Sequence, residues 1–217
     1  ADVTVSFFET PTTATVGADQ DHCATLTSTG LGGNTPTVGT GAWSIVSGGT
    51  GTFTAPSSGN SNFVANAYGT YVLRWSITNG TCTASTADIT VTFYQAPSVA
   101  TVGADQNICG TLVSAALGGN TPVVGTGAWS IVSGGTGTFS NNAAVNATFT
   151  ADDYGGYVLR WTISNGTCTA STADVTVSFF ETPTVATVGA DQEHCATLTS
   201  TGLCGNTPTV GTGAWSI

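Results

Sequence analysis

The sequence predicts an all-β protein built as a tandem array of β-sandwich modules, and three observations predict it. A pattern of 86 residues repeats along the chain without a gap. Within each period, short runs of alternating apolar and polar residues are cut by Gly, Asn and Pro, as in sandwich or barrel strands. Each complete period also carries two cysteines at equivalent places.

The period is read from the rarest residues first. Cys23, Cys109 and Cys195 are spaced by 86, as are Trp43, Trp129 and Trp215. Trp75 and Trp161 keep the interval, and so do Cys82 and Cys168. Residues 1–86 match 87–172 at 58 of 86 positions. Residues 173–217 differ from 1–45 at only three: Thr13/Val185, Asp21/Glu193 and Gly32/Cys204. The third copy is thus nearer to the first than to the second, as duplication of a two-module unit would leave it. On this period the chain divides into residues 1–10, the last strand of a preceding module, a full module at 11–95, a second at 96–181, and the first half of a third at 182–217. Both ends fall inside modules, so a longer natural chain is expected.

Within the first full module, strands are expected near 12–18, 23–29, 41–47, 51–55, 62–67, 70–78 and 81–93. Asn79-Gly80 and Asn165-Gly166 read as two-residue hairpin turns, because both central positions favour φ > 0. In the strand before that turn, Tyr71, Leu73, Trp75 and Ile77 share one face, while Arg74, Ser76 and Thr78 share the other. The period of two sends the first set to the core and the second to water. Trp43 and Ile45 supply a facing strand, and Ile89, Val91 and Phe93 the last one. About seven strands with closely spaced turns suit an immunoglobulin-like sandwich. Asp153-Tyr154-Gly155-Gly156-Tyr157 resembles the corner in which a tyrosine hydroxyl ties a loop to its strand. The first module has Ala67 where the second has Asp153, so that carboxylate is dispensable to the corner.

The cysteines suggest one internal disulfide per module, Cys23 with Cys82 and Cys109 with Cys168, each pair 59 residues apart. Closing such a loop is worth about 4 kcal/mol on the chain-entropy model. Paired metal ligands are the competing reading, but there is no CxxC and no consistent histidine. Cys195 has no partner within the segment. Cys204 replaces Gly32 and Gly118 and lies outside the repeat plan; a free thiol, a cross-link between arrays and sequence drift all remain open. A disulfide fold implies an oxidising compartment, hence secretion or display on a cell surface.

Composition narrows the function. Charged residues make up 6% of the chain, against roughly 25% in ordinary domains. The net charge is −10 and the only fixed cations are Arg74 and Arg160. Nucleic-acid binding needs clustered Lys and Arg and is excluded; no apolar run approaches the roughly 20 residues of a membrane span. The first residues, ADVTVSFF, lack a signal peptide's basic start and apolar run, so an export signal is expected outside the segment.

Catalytic signals are absent. His22 and His194 are equivalent, but the second module has Ile108 there, so a catalytic or metal role would skip alternate modules. Serines occur without a GxSxG elbow or SxxK pair. The Ser47–Thr52 glycine-rich run lacks the lysine and helix of a phosphate cradle. No enzyme activity, catalytic residue or cofactor is expected. The calcium candidates are Asp19, Asp21, Asp105 and Asp191, with Asn107 and Glu193 in place of Asp21; one or two acids per site fall short of calcium's six to eight oxygens. The alternative is an Asp-stabilised turn. Asp2, Asp88 and Asp174 recur in the last strand. Asn79, Asn146 and Asn165 match the N-glycosylation pattern.

The run VGADQxxC, then GGNTPxVGTGAWSIVSGGTGTF, then YVLRWxIxNGTCTAST resembles the PKD-like/Ig-like tandem repeats of giant secreted or surface proteins of Bacteroidetes-type bacteria. The resemblance covers essentially the whole chain. It implies a β-sandwich and export, often by the type IX route linked to gliding and adhesion. Where PKD domains carry a WDFGDG-like signature this chain has GAWSIVSG, so the broader Ig-like label applies.

Short Pro-containing links at Pro11, Pro97 and Pro183 restrict the angles between modules. The reading that follows is a non-catalytic structural or adhesive segment of an extracellular filament or stalk. Its expected partners are neighbouring modules and lateral copies, with surface glycans as a further partner class. A carbohydrate- or ice-binding repeat and a spacer in a large secreted enzyme are the alternatives. Residues 1–8 could also complete a neighbouring subunit by strand donation, although the same strand at 87–94 leads directly into a module. The near-invariant GNTPxVGTGAWSIVSGGTGTF run includes loops that could line a repeated interface, whereas 54–67 and 140–153 differ at most positions.

Overall fold

A computed structural model describes residues 1–217. All regular structure is strand, with no helix. The first repeat contains β1 (Gln20–Cys23), β2 (Thr40–Ser47), β3 (Gly51–Phe53), β4 (Phe63–Ala65), β5 (Gly69–Thr78) and β6 (Ser85–Tyr94). The second repeats the series as β7 (Gln106–Cys109), β8 (Thr126–Ser133), β9 (Gly137–Phe139), β10 (Phe149–Ala151), β11 (Gly155–Ser164) and β12 (Ser171–Phe180).

Each repeat is a sandwich of one four-stranded and one two-stranded sheet. In the first, the larger sheet runs β1-β6-β5-β2 and the smaller is β3-β4; the second has β7-β12-β11-β8 and β10-β9. The long β5 and β6 pair antiparallel from Gly69↔Phe93 to Ile77↔Ser85. Strand β2 lies antiparallel on the outer side of β5, and β1 parallel on the outer side of β6.

Burial follows the period-2 pattern. Tyr71, Leu73, Trp75 and Ile77 of β5 are buried, as are Ile89, Val91 and Phe93 of β6. Trp43 faces Trp75 across the β2–β5 pair, with ring centroids 5.2 Å apart. Phe63 of the small sheet meets Tyr71 of the large one at 5.1 Å, so aromatic contact joins the layers. Offset or tilted rings at such distances add to what area burial contributes. The second repeat rebuilds the same core, with Trp129 and Trp161 at 5.2 Å and Phe149 and Tyr157 at 5.2 Å.

The tyrosine corner is present in both repeats. Tyr157 Oη donates to the Asp153 backbone carbonyl at 3.0 Å, and Tyr71 Oη to that of Ala67 at 2.9 Å. The acceptor is main chain, which is why the carboxylate at 153 can be absent at 67. The Ser-Gly-Gly run also has a steric reason. Gly48 sits at φ 106° beside the β2 bulge, where a Cβ would overlap the Thr70 carbonyl.

Several expected strands differ. Residues 12–18 form no ladder; they are tied to 31–38 by scattered bonds such as Gly17 N–H to Leu31 O (3.0 Å) and Asn34 N–H to Thr15 O (3.1 Å). Pro11 and the Asn34 side chain, which bonds Thr13 and Thr15, replace a regular ladder there. The 23–29 strand moves forward to β1 and leaves only an isolated Thr27↔Val64 bridge. The Asn79-Gly80 turn is not a two-residue hairpin, because β5 ends at Thr78 and β6 begins at Ser85. Residues 1–8 form no strand, and Val3, Val5 and Phe7 are exposed. Their equivalents Val175, Val177 and Phe179 are buried in β12, where Phe179 packs on Phe149 of the small sheet and Tyr157 of β11. Residues 182–217 likewise contain no strand.

By backbone contacts the chain divides into two compact units. One holds residues 1–100 together with 121–127 and 162–172, and the other holds 101–120, 128–161 and 173–217.

Candidate functional site

The chemistry-bearing feature of the first unit is a disulfide between Cys23 and Cys168, with the Cα atoms 5.1 Å apart and 145 residues between them in sequence. This corrects the expected pairing. The bond joins one repeat to the next instead of closing each repeat on itself. Cys82, Cys109, Cys195 and Cys204 carry free thiols.

Strand direction explains why the internal pairing fails. Cys23 is the last residue of β1, and the parallel register sets it beside Tyr94 at the end of β6. Cys82 lies just before Ser85, where β6 begins. The ten residues of β6 separate the two cysteines, and at about 3.3 Å per residue this is roughly 30 Å. A disulfide needs Cα atoms within about 7 Å. The second repeat has the same conflict, with Cys109 beside Phe180 at the far end of β12 and Cys168 before its start.

What brings Cys168 to Cys23 is the loop that follows β11. Asn165 Nδ2 donates to the Gln95 carbonyl at 2.7 Å. Gly166, at φ 52°, lies so close to the Tyr94 ring that a Cβ would overlap it. Cys168 N–H closes the turn on Asn165 O at 3.1 Å, which leaves its Sγ 3.6 Å from Gln95 O. The Asn-Gly pair therefore acts as a seat for the end of β6, where Cys23 already stands. The first repeat builds the same seat: Asn79 Nδ2 donates to Glu9 O at 2.8 Å, Gly80 abuts Phe8, and Cys82 Sγ lies 3.3 Å from Glu9 O. The signal in the sequence was the unchanged NGTC at 79–82 and 165–168.

The calcium candidates do not converge. Asp19 accepts the Thr90 N–H at 2.8 Å, and Asp105 the Thr176 N–H at 2.8 Å, so each carboxylate pins the edge of a last strand. Asp21 is exposed on β1, and Asp191 is exposed in 182–217. No three His, Cys, Asp or Glu side chains come close enough to share an ion. His22 stacks on Phe93 at 5.5 Å and pairs with Gln20 Oε1 at 2.9 Å. His194 pairs with Gln192 in the same manner, at 3.0 Å. Cys204 takes φ 51° where Gly32 and Gly118 take 69° and 68°, a left-handed position that suits glycine better.

Both cations are paired. Arg74 grips Asp88 through two bonds of 2.7 Å, and Arg160 grips Asp174 at 2.7 and 2.8 Å. Each pair is directly cross-strand, in the first repeat at the Arg74↔Asp88 register. The guanidinium bonds hold both carboxyls below the usual carboxylate range, against a small opposing effect of burial.

No protein-family model matches the chain, and no curated protein does. Among solved structures it is similar to immunoglobulin domains 1–5 of Sidekick-1, at 11% identity, TM-score 0.49, over 85% of this chain and 42% of that one. Murine CEACAM1b gives 12% identity and TM-score 0.49, over 77% of this chain and 98% of that one. A three-domain immunoglobulin segment of titin gives 11% and 0.44, over 80% and 67%. The chain thus spans less than half of the Sidekick-1 structure. Each repeat is a two-sheet β-sandwich, and the two stand in tandem along the sequence. No helix is long and apolar enough to cross a membrane.

Proposed function

We propose that this chain is a non-catalytic structural or adhesive segment of an extracellular surface filament or stalk, with modules 11–95 and 96–181 as its repeating units. The observation that carries this reading is the Cys23–Cys168 bond. A disulfide within a module stabilises that module alone. One that fastens consecutive repeats means that a pull on the chain meets a covalent stop at that junction. Such bonds persist in oxidising surroundings, which suits export. Both arginines are already paired with neighbouring aspartates. Neighbouring repeats are therefore the partners best supported.

Immunogold electron microscopy with antibodies to the 217-residue chain tests the reading. Gold along appendages of intact, unpermeabilised cells is the expected result. Labelling that appears only after permeabilisation would overturn it.

A further inference from the structure

We propose that the Cys23–Cys168 bond is one rung of a register that recurs along the array. In it, the first cysteine of each repeat bonds the second cysteine of the next repeat of the same polypeptide. Cys82 and Cys109 are then each one half of a further bond.

Three observations carry this. The pairing Cys23–Cys82 is barred by the length of β6, and Cys109–Cys168 by that of β12, so every repeat must look outward for its partners. Cys109 also occupies the donor end already used by Cys23. It lies beside Phe180 in the parallel register, with Sγ 3.6 Å from Glu181 O. Finally, Cys82 sits in the seat already used by Cys168. Its loop holds Phe8 and Glu9 as the 165–168 loop holds Tyr94 and Gln95, down to the Asn Nδ2 bond of 2.8 Å against 2.7 Å. Residues 2–12 are identical to 174–184, so the strand end resting in that seat is the one that Cys109 accompanies in the second repeat.

The chemistry is a two-electron oxidation. Two thiols lose two protons and two electrons as one S–S bond forms, and a small-molecule disulfide oxidant takes them up as two thiols.

The register has a topological consequence. Cys109 lies between Cys23 and Cys168 in sequence, so the loop closed by its own bond starts inside the previous loop. Successive loops overlap, and a single backbone cut inside one of them leaves the array covalently whole.

The test is disulfide mapping by mass spectrometry. A chain of residues 1–217 carrying Cys82→Ser, continued by a second copy of 46–217 whose own Cys109 is replaced by Ser, supplies Cys109 with a following repeat and makes both peptides of the expected bond unique. It is refolded in a glutathione redox buffer as a mixture of nitrogen-14 and nitrogen-15 material. The expected result is Cys23–Cys168 together with Cys109 bonded to the second cysteine of the following repeat, within one isotope. Cys109 found free, bonded to Cys168, or linked across isotopes would overturn the proposal. The 217-residue chain gives a second readout that needs no extension. Native alkylation should label Cys82 and Cys109 and spare Cys23 and Cys168; a Cys23–Cys82 peptide would sink the register.

Discussion

Cys23 and Cys168 stand 5.1 Å apart at Cα across 145 residues of sequence, and Tyr94 and Gln95 are the backbone that both of them flank. The strand end that closes one repeat is thus gripped on one side by its own β1 and on the other by a loop of the next repeat. The expected behaviour of the protein follows from that arrangement.

The two kinds of cysteine should differ sharply in stability. Closing a 145-residue loop is worth about 5 kcal/mol on the chain-entropy model. Cys23→Ser or Cys168→Ser should therefore shift denaturant unfolding by several kcal/mol, with the model figure as an upper value. Cys82→Ser should change it by no more than about 1 kcal/mol, because Cys82 is half-buried and makes no disulfide in this chain. Equal effects of the two would contradict the pairing.

Gly166 positions the loop that carries Cys168. Gly166→Ala forces a Cβ into the Tyr94 ring and strains a left-handed residue, at a cost of about 1–2 kcal/mol. In a glutathione buffer the equilibrium constant for the Cys23–Cys168 bond should fall about tenfold, the equivalent of ~1.4 kcal/mol. Quantitative thiol trapping reads this directly. Gly155→Ala is a useful control, because it has a positive φ of 142° but nothing within 4 Å of its Cβ position.

Acid should act through Asp88 and Asp174. Their folded-state pKa values lie below the ordinary carboxylate value. Each ion pair contributes fully above the unfolded value of about 3.9, and its contribution is lost as pH falls through the depressed folded value. Both pairs are exposed, so the effect is modest and salt-sensitive. Asp88→Asn with Asp174→Asn should flatten the acid limb of a stability–pH curve below about pH 4. A curve identical to that of the parent protein would show that the pairs contribute nothing.

The core should fail at Trp75. It is fully buried against Trp43, and its indole N–H has no hydrogen-bond partner. Trp75→Ala should cost about 3–5 kcal/mol. Trp75→Phe keeps part of the ring contact and removes the unpartnered N–H, so it should cost clearly less. Chemical denaturation of the two variants, each monitored by circular dichroism, gives the comparison.

Much of this was legible from local pattern. Alternation along Tyr71–Ile77 and Ile89–Phe93 assigns each side chain to core or water, because a strand's faces swap at every residue and a two-sided pattern admits one register. The repeat period also marks which segments correspond, and β1–β6 recur 86 residues on as β7–β12. The Tyr71 and Tyr157 corners were readable because their geometry is local, closing on a carbonyl four residues back.

What local pattern left open was every relationship set by distance along a strand or by contact between separate segments. Two cysteines 59 residues apart read as a natural pair, and β6 separates them. Arg74 and Asp88 both recurred in the sequence, yet only the β5–β6 register sets them opposite each other. The Asn-Gly signal was real, but its side chain and its positive φ serve the end of the preceding strand as well as a turn. The 86-residue period thus aligned the strands of one repeat with those of the next, since burial patterns are written residue by residue. The direction in which each cysteine points along its sandwich came from parallel pairing of β1 with β6, a long-range contact that places Cys23 at the junction and Cys168 within bonding reach of it.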